Sequence, residues 1–294
     1  MNKEQGAGFY RFTVGEFTLA TISDGFTVFD NPKPLFAGDA DDAEYESLLK
    51  GKFLPPQSEY VHLDSIFVDT GRNKVLIDTG TGPYFGPTAG HLPVSLQNLG
   101  VKPEEIDTVF LSHGHVDHLG GCVGPNGAQL FPNARYVIGR KEWDFWTQAI
   151  VPIGQPYPDE IKQSVIKAAK DQLGGIKDRV EFVQPGQEIV PGISAEEAYG
   201  HSDGMLAANI VSGAESLLYA ADSLIHSAIS VEHPDWLVGL DNDRAQGART
   251  RQRILNKVAS EKSLVFAPHF PFPGIGHIAK SGNTYRWEPA VWKW

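Results

Sequence analysis

The run from Ser112 to Gly121 constrains this chain more than any other feature of its sequence. Directly after the apolar stretch Ile106–Leu111, it places three histidines and one aspartate within six residues: His113, His115, Asp117 and His118. At strand spacing His113, His115 and Asp117 point to one side, and His118 comes from the adjacent position as the chain turns. Imidazole nitrogens together with a carboxylate suit zinc or a similar divalent cation. A solvated histidine-rich loop is the alternative interpretation.

Composition and charge are those of an ordinary globular protein. Of 294 residues, 41% are hydrophobic and 21% charged, which supplies a sizeable core and excludes disorder as the dominant state. The net charge of −11 argues against nucleic-acid binding, which needs a basic surface. The single cysteine, Cys122, excludes an intramolecular disulfide framework and is predicted to be a small buried side chain.

Nothing in the sequence indicates a membrane partner. No window approaches the roughly 18 consecutive apolar residues of a spanning helix. The N-terminal residues show no basic start followed by an apolar stretch, which a signal peptide would need. We therefore expect a cytoplasmic location, or a periplasmic one if a signal peptide has been removed.

Hydrophobic periodicity predicts a mixed α/β chain in which strand runs are followed by helices, twice over. The predicted strands are Phe9–Val14, Phe17–Ser23, Phe26–Phe29, Tyr60–Asp69, Lys74–Asp78, Ile106–Leu111, Arg135–Ile138, Val180–Val183, Ile189–Val190, Gly204–Ile210, Ser216–Ala220 and Leu264–Ala267. The predicted helices are Pro93–Leu99, Lys141–Thr147, Asp159–Leu173, which Gly174 and Gly175 close, and Ala245–Ser260. Lys33–Ser58 is predicted to form a short helix and a loop. We expect one domain over residues 1–294, with a two-sheet core and helices outside.

Four further motifs follow in a set order along the chain. They are Val75–Gly80, Gly200–Gly204, Tyr219–Ser223 and Ala267–Phe270. Together with the histidine-rich run they resemble the signature of the metallo-β-lactamase fold hydrolases, and the resemblance extends over most of the chain. It implies an α/β fold, a four-layer αβ/βα sandwich, with a dinuclear metal site at one edge.

The resemblance also implies ligands for two divalent metal ions per chain. One ion is assigned to His113, His115 and His201, and the other to Asp117, His118 and His269. Asp222 would bridge the two, since a carboxylate has two oxygens to share. Asp117 would in addition help to handle a proton during catalysis. Zinc is the expected metal, although these ligands also accept Mn, Co or Fe.

Some of these assignments have alternatives. His201 could be a polar loop residue, and Asp222 a turn residue after its strand. His277 competes with His269 for the last position, and is expected instead in a supporting or structural role. Asp78 matches a family position behind the metal histidines, where its carboxylate could accept the second ring N–H of a ligand histidine, or it is a turn residue at the end of a strand.

Within the family, this chain most resembles the methyl parathion hydrolase-like branch, which includes phosphotriesterases and promiscuous lactonases or arylesterases. The resemblance is carried by His269–His277, His233–Trp236 and Thr250–Leu255. Zinc β-lactamases place a cysteine near the position of Asp222. The better-known acyl-homoserine lactonases place a tyrosine three residues after the bridging aspartate, where this chain has Ile225. Met205 stands where the second histidine of the family's second metal loop is usual.

The implied activity is that of a hydrolase in which a hydroxide between two metals attacks an ester, a lactone or a phosphotriester. The expected partner is a small-molecule substrate, and the branch together with the aromatic N-terminal stretch favours a homodimer. Alternatives are a non-catalytic metal-binding protein that retains the fold, a β-lactamase, or a glyoxalase II-like thioesterase. Aromatic residues considered for an apolar substrate pocket are Phe53, Tyr60, Phe85, Trp143, Trp146, Phe270 and Phe272.

Overall fold

A computed structural model describes residues 8–292, whose strands form two seven-stranded sheets. The first sheet has the spatial order β1 (Phe9–Val14), β2 (Phe17–Asp30), β3 (Ser58–Asp69), β4 (Lys74–Ile77), β5 (Thr108–Leu111), β6 (Arg135–Gly139) and β7 (Val180–Val183). The second contains β8 (Glu188–Val190), β9 (Ile193–Glu197), β10 (Leu206–Ser212), β11 (Glu215–Tyr219), β12 (Leu264–Phe266), β13 (Ile275–Ser281) and β14 (Thr284–Pro289). Neighbours from β4 to β7 pair in parallel, as do β11 and β12, and the other pairs are antiparallel.

Helices cover the outer faces of both sheets. They are α1 (Lys33–Phe36), α2 (Asp42–Gly51), α3 (Leu92–Leu99), α4 (Val116–Leu119), α5 (Arg140–Thr147), α6 (Asp159–Ile176), α7 (Ile229–Glu232) and α8 (Arg244–Glu261). Leucines of α3 and α6 pack on the first sheet, and Ile254, Leu255 and Val258 of α8 pack on the second. Helices α1 and α2 join a third apolar cluster with Val61 and Leu63 of β3.

Strand β4 shows how the layers are separated. Val75 and Ile77 belong to the core between the two sheets, whereas Leu76 belongs to the core beneath the helices. Because consecutive side chains of a strand point to opposite faces, a strand buried on both faces is an unbroken apolar run. The result is the four-layer αβ/βα sandwich predicted from the sequence.

The strands differ from the prediction in three places. β2 is one strand of 14 residues rather than two, because a bulge at Gly25 redirects the chain without ending its pairing with β3. β9 is a short additional strand between β8 and β10. β13 and β14 form a hairpin in which Ser281 pairs with Thr284, so Gly282 and Asn283 are the overlooked turn signal.

Two helical regions also differ from the prediction. α6 continues through Gly174 and Gly175 to Ile176. A Cβ added at Gly175 would lie 2.5 Å from a methyl carbon of Val123, so this glycine permits close packing of the helix instead of ending it. The stretch Lys33–Ser58 contains two helices rather than one.

Two further sequence expectations can be compared with the structure. Cys122 is fully buried, as predicted, with its Sγ 3.5 Å from Thr79 Oγ1, and burial raises the pKa of its thiol to about 12. Across residues 8–292, none of the helices is both long enough and apolar enough to cross a membrane.

Glu142 on α5 ties two loops of the sandwich edge together. Its buried carboxylate accepts hydrogen bonds from the Gly114 N–H (2.8 Å), the Ser202 hydroxyl (2.6 Å) and the Gly204 N–H (2.8 Å), as well as from the Trp146 indole (2.6 Å). Burial raises the pKa of Glu142, and these four donors oppose that effect. The carboxylate thus fixes the distance between the loop after β5 and the loop before β10.

We predict that Glu142→Gln lowers the free energy of unfolding by about 1–3 kcal/mol, because its amide group would face a buried N–H donor that the carboxylate now satisfies. Urea denaturation measures the change. Glu181→Gln is the matched control: its exposed ion pair with Arg135 (2.5 Å) is worth less than about 1 kcal/mol. Equal stability of Glu142→Gln and the wild type would contradict the role given to this carboxylate.

Candidate metal centre

The predicted ligands come from four strand ends at one edge of the sandwich. His113 and His115 lie in the loop after β5, and His201 lies in the loop between β9 and β10. Asp222 occupies a short 3₁₀ turn after β11, and His269 follows β12. The loops thus bring distant parts of the sequence to one point.

The prediction that His113, His115 and Asp117 share a strand alternation is wrong. The strand ends at Leu111, and Asp117 and His118 lie in the helical turn α4, in which the His118 N–H donates to the His115 carbonyl (3.0 Å). Adjacent residues of a helix point about 100° apart, so the turn directs Asp117 and His118 towards His269, although the His118 ring centroid stays 4.1 Å from that of His113. They belong to a second group of side chains.

The first group contains His113, His115, His201 and Asp222, whose potential ligand atoms lie within 4.8 Å of one another. Nδ1 of His115 is 3.0 Å from Nε2 of His113 and 2.9 Å from Nε2 of His201. Oδ2 of Asp222 is 3.2 Å from Nε2 of His201. Three imidazoles and one carboxylate oxygen therefore face a single point.

The second group contains Asp117, His118 and His269. Oδ2 of Asp117 is 3.6 Å from Nε2 of His118 and 3.7 Å from Nε2 of His269. Asp222 also reaches this group, since its Oδ1 lies 3.1 Å from His118 Nε2 and its Oδ2 lies 3.2 Å from His269 Nε2. Asp222 therefore stands between the two groups, where a bridging ligand would stand.

Each of the five histidines has its outer ring nitrogen held by a partner. Ser112 Oγ contacts Nδ1 of His113 (3.0 Å), and Asp241 contacts Nδ1 of His201 (3.1 Å). The other three contacts are the Gln155 amide to His115 Nε2 (3.0 Å), Asp78 to His118 Nδ1 (2.7 Å) and the His62 carbonyl to His269 Nδ1 (2.8 Å). Such contacts orient ligand histidines and fix their tautomers.

Asp78 has the supporting position that the sequence indicates. Besides His118 Nδ1, its carboxylate accepts hydrogen bonds from the Ser112 N–H and hydroxyl (both 2.7 Å) and from the Tyr219 hydroxyl. Asp78 adopts a left-handed backbone conformation with φ of 61°, which an aspartate tolerates better than most residues. The carboxylate thus links the loop after β5 to β11.

The donor atoms fit divalent cations. Nε2 of His118 and Oδ1 of Asp222 are buried and make no hydrogen bond within the described chain, although they face each other. A buried polar atom without a partner is costly, and a metal ion would satisfy both. Nitrogen and carboxylate oxygen are ligands that zinc accepts. The two clusters therefore support a dinuclear divalent metal site.

The electrostatics of the site centre on Asp222. Burial would raise its pKa, but the histidines around it, His118 first, hold the pKa well below its usual range. Conversely, burial lowers the pKa of His201, but Asp222 and Asp241 outweigh it and raise the pKa to about 9. Burial and the neighbouring histidines keep the pKa of His113 well below its usual value. A buried anion at position 222 therefore attracts positive charge to this point.

A cavity of about 470 Å³ opens onto both groups. His115, Asp117 and Asp222 form part of its wall, and most of the remaining wall is apolar. Of the seven aromatic residues considered for this pocket, only Phe85 lines the cavity. The other aromatic lining residues are Phe29, Phe36, Tyr84 and Tyr157. The position of these residues relative to the site depends on tertiary packing, which a local sequence pattern does not reveal.

The remaining singled-out residues lie elsewhere. His277 is exposed on β13, where its Nδ1 contacts the Ser263 carbonyl (3.1 Å), so it does not compete with His269. Met205 is fully buried in the core between the sheets. Sequence reasoning overlooked Glu142, Gln155 and Asp241 as supports of the site, because each is a single polar residue without a motif.

Comparison with known proteins places this site in a family context. Residues 63–269 match the family described as the metallo-beta-lactamase superfamily. N-acyl homoserine lactonase AiiB of Agrobacterium fabrum is 25% identical over 188 residues, and the N-acyl homoserine lactonase of Bacillus cereus is 25% identical over 174 residues. These matches cover 64% and 59% of this chain and less than two thirds of each relative, 65% and 60%.

Two solved structures resemble the chain over nearly its whole length. AidC, a dizinc quorum-quenching lactonase in complex with a product, is 30% identical with a TM-score of 0.92, covering 97% of this chain and 98% of AidC. The hydrolase AbOPH of the beta-lactamase superfamily is 24% identical with a TM-score of 0.90, covering 99% of this chain and 100% of AbOPH. This second similarity shows the fold alone. With the family match over most of its length and a histidine- and aspartate-lined edge to its sandwich, this chain belongs to the metallo-beta-lactamase superfamily of hydrolases.

Proposed function

We propose that this protein is a dinuclear metal-dependent lactonase. The observation that carries the proposal is the arrangement of Asp222 between two groups of oriented histidines at the floor of an apolar cavity. The similarity to a dizinc lactonase over 97% of the chain supports it. Zinc is the proposed metal.

The proposed ligand set is the one that the sequence indicates. His113, His115 and His201 would hold one cation, Asp117, His118 and His269 would hold the other, and Asp222 lies between the two groups. A bound pair of cations would supply a water molecule of lowered pKa and stabilise negative charge on the substrate. The held outer nitrogens keep the imidazoles in place, so little reorganisation is needed.

Asp117 is the proposed catalytic residue of the chain itself. Its side chain is 17% exposed, lines the cavity, and keeps Oδ2 within 3.7 Å of His269. A carboxylate at the boundary between the ligand groups and the cavity is placed to accept a proton from the attacking water and return it to the leaving oxygen. A serine or cysteine nucleophile is not required.

The cavity favours a substrate with an apolar acyl group. Phe29, Phe36, Val61 and Leu63 form its apolar wall away from the ligand groups. Burying an acyl chain there yields about 0.8 kcal/mol per methylene, which positions the ester at the ligand groups. Aryl esters share this chemistry, and the resemblance of His269–His277 to the methyl parathion hydrolase-like branch favours phosphotriesters as a second candidate substrate class.

We predict two metal ions per fully loaded chain. His115→Ala and Asp222→Ala should each lower the specificity constant by more than about 100-fold, since loss of an outer partner of a ligand already costs roughly 10–100-fold. Plasma emission spectrometry measures the metal content, and circular dichroism should show an unchanged fold because the sandwich core lies apart from the ligands. One ion per fully loaded chain would contradict the dinuclear site.

We predict that the specificity constants for lactones and aryl esters exceed those for β-lactams by a wide margin, with phosphotriester turnover as a side activity. The wild-type enzyme loaded with zinc is assayed against all four classes. Position 222 is an aspartate where zinc β-lactamases place cysteine, and the pocket decides which electrophile is positioned. A β-lactam ranked first would contradict the proposal. Two bound metals without hydrolysis of any ester, lactone or phosphotriester would indicate a non-catalytic metal-binding protein.

We also predict a homodimer in solution. β1 is the edge strand of the first sheet, and its Phe9, Tyr10 and Phe12 are only partly buried, which leaves apolar surface for a second copy. Light scattering at micromolar concentration measures the mass, and a monomeric value would contradict the prediction. We further propose that residues 1–294 form a single catalytic domain and that the protein is located in the cytoplasm.

A further inference from the structure

The segment Val151–Pro158 extends from α5 towards α6 beside the proposed metal centre. It is anchored by the Gly154 N–H, which donates to Asn242 Oδ1 (2.6 Å), and by the Gln155 amide, which donates to the Leu240 carbonyl (2.9 Å). The same Gln155 amide holds Nε2 of His115. Prolines on both sides of Tyr157 restrict its backbone further. The segment is therefore tied by hydrogen bonds to Leu240, Asn242 and His115.

Tyr157 projects from this segment into the cavity wall that also contains Asp117, Asp222 and His269. Burial is the main cause that raises the pKa of Tyr157, and the nearby carboxylates of Asp117 and Asp222 add to it. A phenol is protonated at neutral pH, so Tyr157 can act as a hydrogen-bond donor. No group between residues 8 and 292 forms a hydrogen bond with its hydroxyl, which leaves that donor for a bound molecule.

Two other polar side chains of the cavity wall already have hydrogen-bond partners, and a third position is aliphatic. The Gln155 amide already contacts Leu240 and His115. The hydroxyl of Tyr84 accepts a hydrogen bond from Gln172 (3.2 Å). Ile225, three residues after Asp222, is buried and lines the cavity, so the position that holds a tyrosine in better-known lactonases offers no donor here.

A donor in the cavity wall can assist hydrolysis of a lactone beside the metal centre. When water adds to the carbonyl carbon, negative charge develops on the carbonyl oxygen, and it passes to the ring oxygen when the C–O bond breaks. A fixed neutral donor in a partly dry cavity stabilises such charge more than it stabilises the uncharged substrate.

We propose that Tyr157 is a catalytic residue that donates a hydrogen bond to the ester group of the substrate as negative charge develops on its oxygens. This proposal rests on the proposed lactonase function. It assigns to a separate loop the donor that Ile225 does not supply. The hydrogen bond forms and strengthens without transfer of the phenolic proton.

The test compares the zinc-loaded wild type with Tyr157→Phe, which keeps the ring and removes only the hydroxyl. We expect kcat for an acyl lactone to fall roughly 10- to 100-fold with KM little changed, because the hydrogen bond acts on developing charge. Tyr285→Phe is the matched control, because Tyr285 lies on β14 and does not line the cavity, and it should retain the wild-type kcat. Metal content and melting temperature should match in all three proteins.

A binding measurement gives a second readout that does not depend on turnover. A non-hydrolysable phosphonate mimics the anionic intermediate, and a lactam is a neutral analogue of the substrate. Calorimetry should show that Tyr157→Phe lowers the affinity for the phosphonate by a similar factor and leaves the affinity for the lactam unchanged. Wild-type kcat in Tyr157→Phe, or a rise in KM alone, would overturn the role of Tyr157 but not the lactonase function. A wild type that hydrolyses neither lactones nor other esters would overturn the lactonase function, and the inference with it.

Discussion

The site depends on buried carboxylates that receive hydrogen bonds from the loops around them. Glu142 binds the loop that carries His113 and His115 to the loop that carries His201. Asp78 performs the same task between the strand end before His113 and the turn of His118. A buried carboxylate is costly unless its lone pairs are satisfied, so each loop that supplies a donor is held in one arrangement. Stability of the edge and orientation of the ligands therefore have the same physical origin.

A third carboxylate extends this support to the second sheet. Asp241 accepts from Arg251 of α8 (2.9 Å) and contacts His201, and Arg251 and Asp241 are each 1% exposed. Arg251 also donates to the carbonyl of Ser223, next to Asp222. A buried ion pair adds little net stability once the cost of desolvation is counted, but removing one partner leaves the other charge buried and unpaired. The pair therefore serves chiefly to fix the positions of His201 and Asp222.

Support and substrate binding share one segment of the chain. Leu240, Asp241 and Asn242 hold His201 on one side and the segment of Gln155 and Tyr157 on the other. The α6 helix that follows this segment supplies apolar cavity wall through Ile161 and Val165. Gln155 therefore contacts both the cavity and His115.

All seven proposed ligands could be named from the sequence because each lies in a short motif that resembles one of the metallo-β-lactamase superfamily. The layers followed from the same resemblance, and they agree with the apolar runs Val75–Ile77 of β4 and Val109–Leu111 of β5, which suit a sheet covered on both faces. The supports Glu142 and Asp241 could not be named, because a lone acid in a sequence is most often solvated and only folding shows what surrounds it. Tyr157 differs from Tyr60 only by its position in the fold: Tyr60 is 60% exposed, whereas Tyr157 lines the cavity. Ligand identity is a local property of the chain, whereas orientation, burial and the shape of the cavity arise from contacts between residues far apart in sequence.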